Sequence, residues 1–175
     1  MPKIIEGLRE KILATSREML LGTGYEALTI RAVAKCCGVA VGTVYNYFPS
    51  KDVLIASIML DDWRQVLNRM RQETGNAASI SVGLKSIFDG LMAFSATYRK
   101  AWSQYTATGG ALSALQERHG MLLDQLSGMI MPMVVRLGGN GDSLCVEIAV
   151  NSLLNYSQRE ITFGVIEPAL IKLLS

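Results

Sequence analysis

The residues whose types and spacing could bind a chemical partner lie in one segment, Thr29–Asp52. The pattern predicts a short helix ending at Gly38, a tight apolar turn and a second short helix over Gly42–Phe48, which is the layout of a helix-turn-helix. Glycine suits the turn because it tolerates the left-handed backbone in which helices often end. Val44 and Phe48 are four residues apart, so both can face a core.

The opposite face of this second helix is polar. Thr43, Asn46 and Tyr47 lie three and four residues apart and present hydroxyl and amide groups outward. Hydroxyls and the Lys51 ammonium group suit phosphates, and an asparagine amide suits a base edge. The segment is therefore predicted to bind DNA.

The same residues resemble the DNA-binding region of the TetR (tetracycline repressor-like) transcriptional regulators. The resemblance runs from Ile12 to Ile58 and is densest at Gly42-Thr43-Val44-Tyr45, Tyr47-Phe48 and Ser50-Lys51-Asp52. One departure is Ala40, where the family often has a serine that caps the recognition helix. Losing that cap costs about 1 kcal/mol of local helix stability.

The resemblance implies a role for each residue of the segment. Those expected to contact phosphates are Thr29, Thr43, Tyr45, Tyr47 and Lys51. Those expected nearest base edges are Arg31, Val41, Gly42 and Asn46. Side-chain chemistry supports this, because asparagine pairs with adenine, arginine with guanine, and valine touches a thymine methyl group. For Tyr45 an alternative stays open, in which the ring only fills the core of the DNA-binding head.

Helical periodicity extends beyond this segment, and no stretch alternates for long enough to predict a sheet. Further helices are predicted near Ile5–Leu21, from Ser50 to about Arg71, and from Pro168 onward, with Gln72–Ser79 as a loop. Three others are predicted over Ile80–Ala107, Leu112–Leu137 and Ser143–Phe163. The predicted fold class is therefore all-α, and the resemblance implies a three-helix helix-turn-helix head over residues 1–50 and a helical ligand-binding and dimerisation domain over residues 51–175.

Composition agrees with this prediction. Residues 1–52 hold seven Lys and Arg against five Asp and Glu, whereas the rest of the chain holds ten of each, so the excess positive charge lies in the head. No apolar run is long enough to span a bilayer, and no secretion signal is recognisable, so a cytoplasmic protein is expected.

The cysteines and the histidine suggest little chemistry. Three cysteines indicate a reducing compartment, and His119 is the one histidine, so no metal site and no cofactor are expected. Cys37 is predicted to pack as a small apolar residue and Cys36 to point sideways or to solvent, although a redox pair stays open. Cys145 is predicted to lie in the core.

Methionine and aromatic residues gather in the predicted second domain, around a helix interrupted by Gly120, Gly128 and Pro132. Such side chains adapt to apolar ligands of varied shape, and the resembling family commonly holds an inducer pocket in this domain. The residues predicted to bind a small apolar effector are Phe88, Met92, Tyr98, Trp102, Tyr105, Met121 and Met129. Ordinary core packing is the alternative for each of them.

A homodimer is expected because one head offers too few contacts for tight specific binding, whereas two heads read a palindromic duplex. Apolar faces of the last two helices are the predicted interface. Its residues are Leu144, Ile148, Leu153, Tyr156, Leu170 and Leu173.

The sequence also bears on two other classes of protein. An enzyme is disfavoured, since no nucleophile with a base, glycine-rich phosphate loop or paired metal ligands is recognisable. The adjacent acids Asp61 and Asp62 are predicted to lie on a solvated face, because neighbours on a helix point in different directions. The second class is an architectural or protein-recruiting DNA-binding protein without an inducer.

Overall fold

The computed structural model describes residues 6–106, 112–159 and 161–175, and it describes the side chains outside residues 100–119. Over these ranges the chain forms eight α-helices and no strand, which confirms the predicted all-α class. The helices are α1 (Leu8–Thr23), α2 (Ile30–Cys37), α3 (Val41–Tyr47), α4 (Lys51–Gly75), α5 (Ile80–Thr106), α6 (Leu112–Arg136), α7 (Ser143–Ser157) and α8 (Phe163–Leu174).

The helices divide into two compact units. The first contains Met1–Arg64 and Thr97–Thr108, and the second contains Gln65–Ala96 and Gly109–Ser175. Helices α4 and α5 each contribute residues to both units. The first compact unit thus includes more of the chain than the head predicted over residues 1–50.

Within the first unit, α1 packs on α2 and α2 packs on α3. Local signals place these helices where the sequence predicts them. The Thr29 hydroxyl accepts a hydrogen bond from the Ala32 amide and begins α2, and Gly38 ends α2 with a φ of 71° in the left-handed region. The Ser50 hydroxyl accepts from the Val53 amide at 3.1 Å and begins α4. Each of these predicted caps is confirmed.

Helix α4 is longer than the sequence predicts: its last turn, Gln72–Gly75, falls in the segment expected to be a loop. Two sets of hydrogen bonds within the second unit explain the extra turn. The Thr74 hydroxyl donates to the Met70 carbonyl at 2.8 Å. The Arg136 guanidinium donates to the carbonyls of Thr74 and Ala77 at 2.9 and 3.1 Å, which satisfies acceptors that a helix end leaves open.

The boundary between the last two helices also differs from the prediction. Helix α7 ends at Ser157, and α8 begins at Phe163 and runs through Pro168, which was expected to start it. Phe163, Ile166 and Leu170 are buried at helical spacing, so the apolar stripe of α8 begins at Phe163. The Phe163 ring lies 5.6 Å from that of Phe88 between ring centroids, and this contact fixes the start of α8 within the second unit.

The cysteines follow the predictions in two cases of three. Cys37 is buried and Cys36 is exposed, as the apolar-filler interpretation required. Cys145 is half-buried instead of lying in the core, and its sulfur accepts from the Asn140 amide at 3.6 Å. Cys145 lies in the first turn of α7, where the surrounding loop leaves part of its side chain open.

Candidate nucleic-acid interface

Helix α3 separates its apolar and polar residues onto two faces. Val44 is 0 % exposed and Phe48, just after the helix, is 1 % exposed, so both belong to the core of the first unit. Gly42, Tyr45 and Asn46 are exposed on the other side. Because the buried pair anchors the helix, its outer face is presented as a rigid surface.

Tyr45 can now be assigned to that outer surface. Its side chain is 48 % exposed, so it does not fill the core of the head, and the alternative interpretation of this residue is wrong. Thr43 and Tyr47 are half-buried one turn apart. At the edge of the exposed face, their hydroxyls are suitably placed to contact the backbone of a DNA strand beside the helix.

The N-terminus of α2 contributes two further predicted residues. Arg31 is exposed in the first turn of α2, and Thr29 is exposed immediately before it. The Thr29 oxygen accepts from the Ala32 amide at 3.1 Å, so the hydroxyl proton remains available to donate. Thr29 can therefore cap the helix and donate to a phosphate at the same time.

Lys51 begins α4 and is held in place by an aromatic ring. Its ammonium nitrogen lies 3.8 Å from the centroid of the Tyr25 ring, a cation–π contact. The Tyr25 hydroxyl in turn donates to Asp52 at 3.2 Å. Since lysine is otherwise a flexible side chain, this contact restricts the conformations open to Lys51 before any partner binds.

The role of Tyr25 in holding Lys51 is not apparent from the sequence, because the two residues are distant along the chain and only the fold brings them together. Two more basic side chains take structural positions in the head. Arg9 lies over the Phe48 ring, 5.6 Å from its centroid, and Lys11 donates to the Cys37 carbonyl at 3.1 Å, where α2 ends.

Farther along α4, Asp62 corrects a prediction. The sequence placed it on a solvated face, but it is only 6 % exposed. Its Oδ2 accepts from the Arg17 Nε at 2.8 Å and from the hydroxyl of Tyr98. Burial raises the pKa of Tyr98 above its ordinary value, and the hydrogen bond to Asp62 and its charge raise that pKa further. Tyr98 thus stays protonated as a donor.

The residues predicted to bind the effector are distributed over both compact units. Tyr98 belongs to the first unit, while Phe88, Met92, Met121 and Met129 belong to the second. Phe88 and Met129 are buried there, whereas Met92 and Met121 are exposed. The side chains of Trp102 and Tyr105, also predicted to bind the effector, lie outside the described residues. The Tyr98 hydroxyl donates a hydrogen bond to Asp62.

Two open grooves lie in the second unit. One, of about 440 Å³, follows α4 and α5 beside Val66, Met70 and Gly90. The other, of about 450 Å³, runs along α7. None of the predicted effector residues lines either groove. Among the described residues, no helix is long and apolar enough to cross a membrane, and no group of acidic, histidine and cysteine side chains could hold a metal ion.

The predicted interface residues also fall into two groups. Leu153 and Leu170 are 0 % and 3 % exposed, so they belong to the core of the second unit itself. Leu144 and Ile148 are exposed on α7, and they line the α7 groove together with the half-buried Tyr156. Leu173, on α8, is half-buried. An apolar pattern identifies all of them, but only exposed members are available to a partner.

Comparison with known proteins gives a family for the head. Residues 12–58 match the family described as bacterial regulatory proteins, tetR family. The chain is 36 % identical over 64 residues to the HTH-type transcriptional regulator UidR of Escherichia coli K12, which covers 37 % of this chain and 33 % of UidR. It is 39 % identical over 67 residues to the HTH-type transcriptional repressor KstR of Rhodococcus jostii, covering 38 % and 32 %. The match thus spans about a third of the length of these relatives.

The fold similarity reaches beyond the head. The transcriptional regulator FadR from Bacillus subtilis, solved in complex with stearoyl-CoA, aligns over 95 % of this chain and 97 % of its own, with a TM-score of 0.62 and 19 % identity. At this identity the likeness concerns the fold alone. The helical arrangement of the second unit is therefore similar to that of known regulators.

Proposed function

We propose that this chain, whose residues 12–58 match the tetR family of bacterial regulatory proteins, is a dimeric, sequence-specific transcriptional regulator. It acts in the cytoplasm as a repressor that a small apolar molecule releases from DNA. The observation that carries this proposal is the division of α3 into a buried anchor, Val44 and Phe48, and an exposed polar face.

In this proposal α3 enters the major groove and α2 and α4 bind the flanking phosphates. Asn46 and Arg31 are exposed and read base edges, and the missing side chain of Gly42 lets the backbone approach the DNA. Lys51, held against Tyr25, neutralises a phosphate at the start of α4. The remaining phosphate contacts come from Thr29, Thr43, Tyr45 and Tyr47.

The dimer interface is proposed on the exposed face of α7 and the adjoining part of α8. Leu144 and Ile148 are 63 % and 46 % exposed, and they lie one turn apart and line the α7 groove. Burying such residues against a second copy stabilises the pair by removing apolar surface from water. Asn151, Asn155 and Arg159 line the same groove and supply the polar part of the interface.

The effector is proposed to be mostly apolar and to bind in the second unit. Phe88 and Met129 are buried there and offer aromatic and thioether surface. FadR of Bacillus subtilis, which shares the fold, was solved with stearoyl-CoA, so long acyl chains are reasonable first probes. Release requires that the ligand bind more tightly to the conformation that does not bind DNA.

DNA binding is tested by selection. The full chain is incubated with a library of randomised duplexes, and bound molecules are amplified and sequenced. We expect an inverted repeat with half-sites about one helical turn apart to be enriched. If no sequence is enriched, sequence-specific DNA binding is rejected. If a single asymmetric site is enriched, the symmetric dimer is rejected.

Effector release is tested on the selected duplex with stearoyl-CoA and with stearic acid, which share the acyl chain but differ in the charged group. A compound that raises the melting temperature and weakens operator binding supports an inducer. Operator affinity that no tested apolar compound changes would favour the alternative, an architectural or protein-recruiting DNA-binding protein.

A further inference from the structure

A buried carboxylate in α4 joins three helices of the first unit. The Asp62 Oδ2 accepts from the Arg17 Nε of α1 at 2.8 Å and from the Tyr98 hydroxyl of α5. Both donors use the same oxygen atom. We call these three residues the Arg17–Asp62–Tyr98 node.

Breaking the node should be energetically costly because Asp62 is shielded from water. Asp62 and Tyr98 are 6 % and 2 % exposed, whereas the Arg17 side chain is 47 % exposed. A buried carboxylate that loses its partners keeps the cost of desolvation without the compensating attraction. Loss of either donor therefore destabilises the buried Asp62 carboxylate.

The position of the node makes it relevant to DNA binding without direct contact. Asp62 follows Lys51 by eleven residues on one helix, which corresponds to about 16 Å along the axis. Lys51, at the start of α4, is placed to bind a phosphate, and near the middle of the same helix the node holds α1. Helix α1 packs on α2, and α2 packs on α3.

We infer that the Arg17–Asp62–Tyr98 node is a positioning element that fixes α1 against α4 in the arrangement needed to bind DNA, and that the Tyr98 hydroxyl controls it from α5. This inference rests on the proposed function. Helix α5 also contributes residues to the second unit, so a shift along α5 would change the distance from Tyr98 to Asp62. The node is therefore a physical element on which an effector could act.

The decisive variant is Tyr98→Phe, which removes the hydroxyl and keeps the ring. We expect the folded variant to bind the selected operator about tenfold more weakly, equivalent to about 1.4 kcal/mol, because a hydrogen bond to a buried charge is lost. The dependence of affinity on salt should stay unchanged, since no phosphate contact is removed. Unchanged operator affinity with only a lower melting temperature would overturn the inference.

Ser16→Ala is the matched control, because it also removes a buried hydroxyl from the first unit. Ser16 is 0 % exposed, and its oxygen has no hydrogen-bond partner in the described part of the chain. Its removal should leave operator affinity unchanged. A loss equal to that of Tyr98→Phe would mean that any buried change in this unit weakens binding, and the node would have no special role.

A double-mutant cycle tests whether the two donors act together. Arg17→Gln alone should weaken operator binding, and Arg17→Lys should restore part of the loss because it keeps the charge. The effects of Arg17→Gln and Tyr98→Phe should be clearly non-additive, since both donors act through one oxygen. Additive losses would show that the residues act independently.

A separate measurement distinguishes failure of the inference from failure of the proposed function. In the absence of DNA, Tyr98→Phe should increase amide hydrogen exchange across α1 more than across α6. If the wild-type chain selects no DNA, the proposed function fails, and exchange alone decides whether the node holds α1. Unchanged protection of α1 would overturn the inference in either case.

Discussion

The two compact units differ in how much of their sequence is shared with known proteins. The family match lies within residues 12–58, whereas the second unit is similar to known regulators in fold alone. We interpret the difference through the partners proposed for each unit. Duplex DNA presents the same phosphates and base edges to every protein that binds it, so similar residue types recur in DNA-binding heads. The effector and the dimer interface differ from one protein to another, so the second unit shares only its helical packing with known regulators.

Helix α7 repeats this contrast within the second unit. Leu153 is completely buried, and Ile148, five residues earlier, is nearly half exposed. The two residues have similar side chains, yet one holds the unit together and the other is proposed to hold two copies together. Substitutions at these two positions give the largest expected difference in outcome.

We expect Leu153→Asp to prevent folding and Ile148→Asp to give a folded monomer. A buried, unpaired carboxylate together with lost apolar contacts costs roughly 4 kcal/mol or more, a large part of the stability of a typical domain. Helical circular dichroism and light scattering distinguish the two results. A folded Leu153→Asp chain that is merely monomeric would place Leu153 at the interface and contradict the burial argument. An Ile148→Asp chain that stays dimeric would move the interface away from α7.

Within the head, substitutions on the exposed face should separate specificity from affinity. Asn46→Ala should remove about 1–3 kcal/mol of discrimination at one base position. Lys51→Ala should weaken binding to all sequences alike and lower the salt slope by about one. Selection with each variant and salt titration measure these effects.

Lys85→Ala is the control for these variants, because it removes an exposed positive charge from the second unit. It should leave both specificity and salt dependence as they are. If Asn46→Ala keeps the wild-type sequence preference, Asn46 does not read a base.

Glycines provide a second comparison between the units. Gly38 has a φ of 71°, whereas Gly128 lies inside α6, and at both positions an added Cβ would meet no atom within 4 Å. The two glycines therefore differ only in backbone conformation. Gly38→Ala should destabilise by about 1–2 kcal/mol, while Gly128→Ala should stabilise by about 0.5–1 kcal/mol. Urea denaturation measures both, and equal effects would contradict the assigned conformations.

Effects of similar size to those of the glycine variants are expected at the helix caps of the head. Ala40 precedes α3 in an extended conformation and forms no side-chain cap, so Ala40→Ser should stabilise by about 1 kcal/mol. Thr29→Ala should destabilise by a similar amount because the bond to the Ala32 amide is lost. Hydrogen exchange in α2 and α3 shows each change locally. A neutral Ala40→Ser would mean that the new hydroxyl does not reach the amides of α3.

Features that depend on neighbouring residues were predicted correctly from the sequence. The caps at Thr29 and Ser50, the left-handed Gly38 and the buried pair Val44 and Phe48 are all present. Each results from interactions within about one helical turn, where residue type and spacing decide the outcome. The helix-turn-helix and its outward polar face could therefore be identified before any tertiary contact was known.

Features that depend on distant residues were decided by the tertiary structure. Asp62 is buried because Arg17, 45 residues before it, and Tyr98, 36 residues after it, both donate to its carboxylate. Similarly, Leu153 and Ile148 look alike in an apolar pattern, and packing alone determines which of them faces the core. A sequence pattern identifies the apolar and charged side chains, but only the fold determines which of them are removed from water and which partners compensate them.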